Sequence, residues 1–241
     1  MKKIFSFAFV LIVQMMFAQS GLIVQYEQVS IPTFPKSEGV GGAQIDARLK
    51  EALSRPTFYE LHVQEDQSFY SKIDRIDNSQ GLKVEYVGGI FSRNLFFDFK
   101  ENLQKREWEV DNKKYIVTDS ILKLNYELTR EKSMILGYEV KKAVINSELM
   151  NTEVWYAPAL PPKFGPSTFT NLPGLVLKVV SIYKDEDEPR FTLNATSVEL
   201  KDHQKLKSLF KGKEISPQDF KVMQDEFDQK SKKETGVETK F

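Results

Sequence analysis

The residues able to do chemistry are few in this chain of 241 residues, and their spacing is unhelpful to any familiar reaction. There is no cysteine, which removes disulfides, thiol nucleophiles and cysteine-ligated metals together. Only two histidines occur, His62 and His203. His62 stands in Tyr59-Glu60-Leu61-His62-Val63, in phase with Glu60 and Gln64, and reads as a solvated strand residue. His203 follows Asp202 in a charged segment and reads as surface. No short spacing gathers histidines and acids as a metal site would, and no nucleophile motif accompanies them. The densest acidic run, Asp185-Glu186-Asp187-Glu188, is suited to weak binding of a hard cation. It lacks the spaced oxygens and the glycine of an EF-hand loop, so it reads as a hairpin turn. Gly39-Val40-Gly41-Gly42 ahead of a short helix resembles a phosphate loop. Gln44 breaks the dinucleotide pattern, and no strand–helix–strand context surrounds it. The expectation is therefore no catalytic residue, no cofactor and no metal.

The elements that must position these residues are mostly strands. Period-2 alternation dominates, most clearly at Leu122, Leu124, Tyr126 and Leu128, with Lys123, Asn125, Glu127 and Thr129 opposite. Further strands are expected at 22–29, 59–63, 69–73, 95–100, 104–109, 115–118, 136–146, 153–156, 175–183 and 191–200. Asp77-Asn78, Asp111-Asn112 and the run from Asp185 to Pro189 supply turn chemistry between them. Spacings of about ten residues without intervening helices favour an antiparallel meander with one apolar and one polar face. Two helices are expected. One covers 46–54, with Ile45, Leu49 and Leu53 spaced for one face. The other begins at Ser216 as N-cap, Pro217 at the first helical position and Asp219 at the third. Its stripe is Phe220, Met223 and Phe227, and it runs to about residue 230. The fold class is thus mainly β: a single domain built on a curved antiparallel sheet or half-open barrel, with one or two packed helices including this C-terminal amphipathic one. A two-sheet sandwich is the alternative.

Composition and termini bound the setting. Lys2 and Lys3, the apolar run from Ile4 to Val13 and Ala18 before Gln19 read as a signal peptide over residues 1–18. That run falls short of the roughly 20 residues a bilayer span needs. Residues 19–230 then form one β-rich domain with 231–241 a flexible tail. Formal charge is zero over the chain, so no basic surface points to nucleic acid. The expected location is the periplasm, with the cell surface or exterior as the alternatives.

The most crowded stretch is Trp155-Tyr156-Ala157-Pro158 through Leu177, where five prolines and two glycines surround short apolar runs. Trp155 and Tyr156 are adjacent on a strand and so point to opposite faces. Leu160-Pro161-Pro162 favours extended geometry. Leu172-Pro173-Gly174-Leu175 reads as a type II turn with positive φ at Gly174. Such an ordered loop either closes one end of a sheet or offers a preformed binding ridge. Trp155, Tyr156, Pro161, Phe164, Gly165, Pro166, Phe169, Leu172, Pro173, Gly174 and Leu175 together resemble the signature of the GLPGLI family of exported gram-negative envelope proteins. The likeness extends upstream through Gly137-Tyr138 and Lys142-Ala143. Asn171 stands where the family has glycine, and asparagine is among the better non-glycine residues at positive φ. Val140 stands where many relatives carry cysteine, which removes any thiol role there. Asp119-Ser120-Ile121 resembles an O-glycosylation site of such envelope proteins. The resemblance implies export and supplies no catalytic residue.

The functional expectation is a non-enzymatic cell-envelope accessory protein. It would recognise a protein partner, such as an outer-membrane or periplasmic complex, or an apolar ligand, through those eleven residues, with Phe164, Phe169 and Trp155 or Tyr156 as anchors. The alternatives are a periplasmic carrier of lipid or another hydrophobe, and a carboxylate-based hydrolase.

Overall fold

A computed structural model describes residues 21–31, 42–73, 90–110, 112–186, 188–201, 206 and 210–235. The leader expected at residues 1–18, the Asp77-Asn78 turn, Gly39 to Gly41 and His203 lie outside the described residues. The chain divides into two compact units. The first comprises residues 1–84 and 122–206, the second 85–121 and 207–241.

In the first unit the strands are β1 (Gly21–Ser30), β2 (Thr57–Gln64), β3 (Gln67–Ile73), β7 (Glu127–Ile135), β8 (Tyr138–Asn146), β9 (Met150–Ala157), β10 (Leu175–Tyr183) and β11 (Phe191–Lys201), with helix α1 at Gly42–Leu53. Their order is β3-β2-β1-β11-β10-β9-β8-β7, and the ladders are antiparallel. Alternation does the sorting. Leu22, Val24 and Tyr26 of β1 are buried, and so are Leu61 and Val63, Leu193 and Ala195, Val179, Val154 and Tyr156. Tyr26 is fully enclosed and donates its hydroxyl to the Val176 carbonyl at 2.7 Å. Burial without charge compensation pushes its ionisation well up. Tyr59 stacks on Tyr70 at 4.9 Å, and Tyr70 meets Tyr26 edge-on at 6.3 Å, so three aromatic rings fill this side.

In the second unit lie β4 (Ile90–Asp98), β5 (Leu103–Val110), β6 (Lys113–Ser120), the short β12 (Lys213–Ile215) and helix α2 (Pro217–Thr235). β4, β5 and β6 form an antiparallel meander, and β12 runs parallel to the outer edge of β6. Asn112 takes positive φ in the β5–β6 turn, as its turn chemistry allows. α2 begins as the sequence requires: Ser216 Oγ accepts from the Asp219 amide at 3.0 Å and donates to its carboxylate at 2.7 Å. Phe220, Met223 and Phe227 pack on Trp108, Val110, Tyr115 and Val117, with Phe220 stacked on Trp108 at 5.0 Å.

The mainly β class with a packed, amphipathic C-terminal helix is therefore as expected. Three local expectations are corrected. The alternation at 122–128 does not make a strand; residues 121–126 are irregular and β7 starts at Glu127. Leu122 and Leu128 are more than half exposed while Leu124 and Tyr126 are half-buried, so the apolar phase is covered only in part. The strand expected at 136–146 is present as β8 but starts at Tyr138: Leu136 and Gly137, both at positive φ, turn β7 into it. β7 escaped because an edge strand exposed on both sides carries no alternation. Finally, Gly174 does not adopt positive φ, so no type II turn forms at Leu172–Leu175. Its glycine is required by space instead: a Cβ there would overlap the Ala157 carbonyl.

Candidate functional site

The eleven signature residues fall into two groups by burial. Tyr156, Phe164, Leu172 and Leu175 are core, with Phe164 at 5% exposure and Leu175 at 0%. Gly165, Pro166 and Gly174 are buried as well. Pro161 and Phe169 are half-buried, Pro173 is exposed and Trp155 is half-buried. The loop is bound internally: Lys163 N donates to Leu172 O at 2.9 Å, Asn171 N to Lys163 O at 2.9 Å, and Val176 N to Phe164 O at 3.1 Å. A Cβ at Gly165 would collide with the Phe169 carbonyl. Asn171 takes the positive φ foreseen for it, at 68°. Most of these residues thus hold the loop onto the sheet. Of the aromatics, Trp155 and Phe169 reach the surface in part; Phe169 tilts against Phe191 at 6.4 Å.

Trp155 instead belongs to a feature that spans the unit. The strand registers place Phe58 (β2), Glu27 (β1), Asn194 (β11), Lys178 (β10), Trp155 (β9) and Lys142 (β8) directly opposite one another in sequence. All six are half-buried, and they lie on the face away from Tyr26 and Val154. At the usual inter-strand spacing this row is about 24 Å long. Lys142 Nζ lies 5.7 Å from the Trp155 ring centre, 2.6 Å from Glu131 and 3.2 Å from Glu153. The hydrogen bond to Glu131, followed by Glu153, pushes the lysine's ionisation up despite some burial. Trp155 Nε1 donates to Glu153 at 3.4 Å.

Beside this row sits a cluster of acid–base groups on β1 and β2. Glu60 Oε1 accepts from Gln25 Nε2 at 3.0 Å, and Glu60 Oε2 lies 3.1 Å from His62 Nε2. Both side chains of the pair keep about 30% exposure. Glu27 is the diagonal neighbour of Glu60, a relation that sets two side chains about 7–8 Å apart. The sequence places His62 in phase with Glu60 and Gln64 as a solvated strand residue. The signal available was Glu60 two positions before it, but Gln25 and Glu27 become neighbours only through strand pairing. The acidic turn is divided between two cations: Glu186 forms a bidentate ion pair with Arg190, and Glu188 lies 3.6 Å from Lys50. The arginine holds the Glu186 carboxyl below the usual range. Ser120 is exposed and its hydroxyl donates to Asp119 at 3.3 Å. Among the described residues no three acids or histidines gather as a metal set. No described helix is long and apolar enough to cross a membrane.

A mainly β domain with one apolar face and one face of aligned polar groups around a tryptophan is the class these observations define. The family model described as N-glycanase peptide, N-terminal domain, matches residues 97–225, just over half of the chain, and the chain belongs to that family. Two solved structures of PNGF-II, in P21 and C2 crystal forms, are similar in fold. The first is 21% identical with a TM-score of 0.55, covering 85% of this chain and 33% of its own. The second is 20% identical with a TM-score of 0.52, covering 85% and 32%. The chain therefore spans about a third of the length of these structures. No curated protein matches it.

These findings correct the GLPGLI resemblance, which the family match does not support. The residues that carried it are chiefly those that lock a proline-rich loop onto a strand, a packing solution rather than a family's chemistry. The expectation of a non-enzymatic envelope accessory protein, or of a lipid carrier, is overturned too, because the family is named for an N-glycanase. Of the expectations raised, the hydrolase is the nearest.

Proposed function

We propose that this chain works in an N-glycanase, engaging the carbohydrate of N-linked glycopeptides along the polar row while the glycan is hydrolysed from the peptide. Family membership carries the reading, and the row supports it. A sugar presents hydroxyls at its rim and an apolar C–H face. Trp155 offers an aromatic surface to the latter, and Asn194, Glu27 and Lys178 offer acceptors and donors to the former. Hydrolysis at a nitrogen linkage needs a water to lose a proton and the leaving nitrogen to gain one. Glu60, oriented by Gln25 and hydrogen-bonded to His62, has the form of such an acid–base pair at the end of the row.

The test uses a chemically defined N-glycosylated peptide. Glycan release is followed by mass spectrometry and binding by titration calorimetry. Trp155→Ala is expected to weaken binding about tenfold, the worth of about 1.4 kcal/mol. Glu60→Gln is expected to slow release by at least a hundredfold, as for loss of a general base, and to leave binding intact. Absence of both saturable binding and glycan release with the wild-type chain would sink the reading.

A further inference from the structure

Glu107 is the most deeply buried carboxylate among the described residues, at 1% exposure, and belongs to the second unit. It sits on the face of β5 opposite its neighbour Trp108, which packs on α2. Three groups meet it: Lys114 Nζ from β6 at 3.3 Å, Asn94 Nδ2 from β4 at 3.3 Å, and the backbone N–H of Lys211 at 3.3 Å. The last comes from 104 residues further along the chain. From Lys211 the chain passes the edge at Gly212, where a Cβ would lie 2.7 Å from the Lys114 carbonyl. It then pairs as β12 with β6 and enters α2, whose Phe220 covers the other face. Residues 210–230 thus straddle the edge of the meander, held by a carboxylate on one side and by aromatic packing on the other.

We infer that this segment is a clip that opens and closes as one body, and that Glu107 is its latch. The ladder under it is only three residues long, so β12 alone cannot hold the edge. A carboxylate buried in this way is stabilised by its donors and costs heavily when they leave. Release of Lys211 therefore frees the route into β12 and lets α2 lift from Trp108, Val110 and Val117. The lifted state uncovers an apolar strip that the closed state hides.

Hydrogen exchange on the whole chain tests this. Glu107→Gln keeps the shape and removes the charge. It is expected to speed exchange of residues 211–215 and 217–230 together, by about tenfold or more, since a hydrogen bond to a charged group is stronger than one to a neutral group. Amides paired between β4 and β5 are expected to keep their wild-type rates. Lys114→Met, which removes the ionic partner and keeps the carboxylate, is expected to give the same pattern. Acceleration of α2 without β12, or of all strands of the unit equally, would overturn the clip. If Glu107→Gln fails to fold, the Lys114→Met pattern alone decides between these outcomes.

Discussion

The loop from Pro158 to Gly174 and the Trp155 ring make opposite predictions about stability, and a pair of alanine substitutions separates them. Phe164 is 5% exposed, and its carbonyl accepts from Val176 at 3.1 Å. Phe164→Ala removes a buried ring and leaves a cavity, at a cost of about 3–5 kcal/mol. Trp155 is half-buried, on the other face of β9 from buried Tyr156. Its polar contacts are one 3.4 Å hydrogen bond to Glu153 and an ammonium 5.7 Å away. Trp155→Ala is therefore expected to cost about 1 kcal/mol. Urea unfolding followed by circular dichroism, with the slope of the transition held in common, reads both. In a thermal melt the first variant is expected to lower Tm by roughly 10 °C and the second by about 3 °C. A Trp155→Ala loss equal to that of Phe164→Ala would refute the division of the signature into core and surface. The indole would then be structural, and the sugar-facing role assigned to it would fall.

Three further outcomes follow from individual contacts. Gly165→Ala forces a Cβ into the Phe169 carbonyl, so it is expected to destabilise by more than about 3 kcal/mol; a neutral result in thermal unfolding would mean the loop is looser than described. Tyr26→Phe strips the 2.7 Å bond to Val176 O and leaves that acceptor enclosed, for a loss of about 1–2 kcal/mol that equilibrium unfolding measures. Arg190 holds the Glu186 carboxyl below its ordinary value. A depressed folded value means the pair contributes above the unfolded value of about 4.3 and is lost as pH falls through the lower folded one. Arg190→Gln is expected to raise the Glu186 titration midpoint in carboxyl NMR, and an unchanged midpoint would remove the arginine as its cause.

The sequence by itself determined the β class, most of the strands and the helix that closes the second unit. β10 was legible from Leu175 to Tyr183 because one run satisfies both burial and alternation, and α2 because Ser216, Pro217, Asp219 and the Phe220, Met223, Phe227 stripe are local signals. These depend on residues within a turn or two of each other, which a one-dimensional reading can compare. The tertiary structure decided everything that depends on who lies opposite whom. It turned 122–126 into an irregular segment, because alternating side chains make a strand only where a ladder partner exists. It gave Gly174 a steric task in place of a dihedral one. It joined Glu60 and His62 to Gln25 on β1, and set Trp155 in a row with Lys178, Asn194 and Glu27. It also brought the Lys211 amide to Glu107. Register fixes those pairings, and register is a property of the assembled sheet rather than of any one strand.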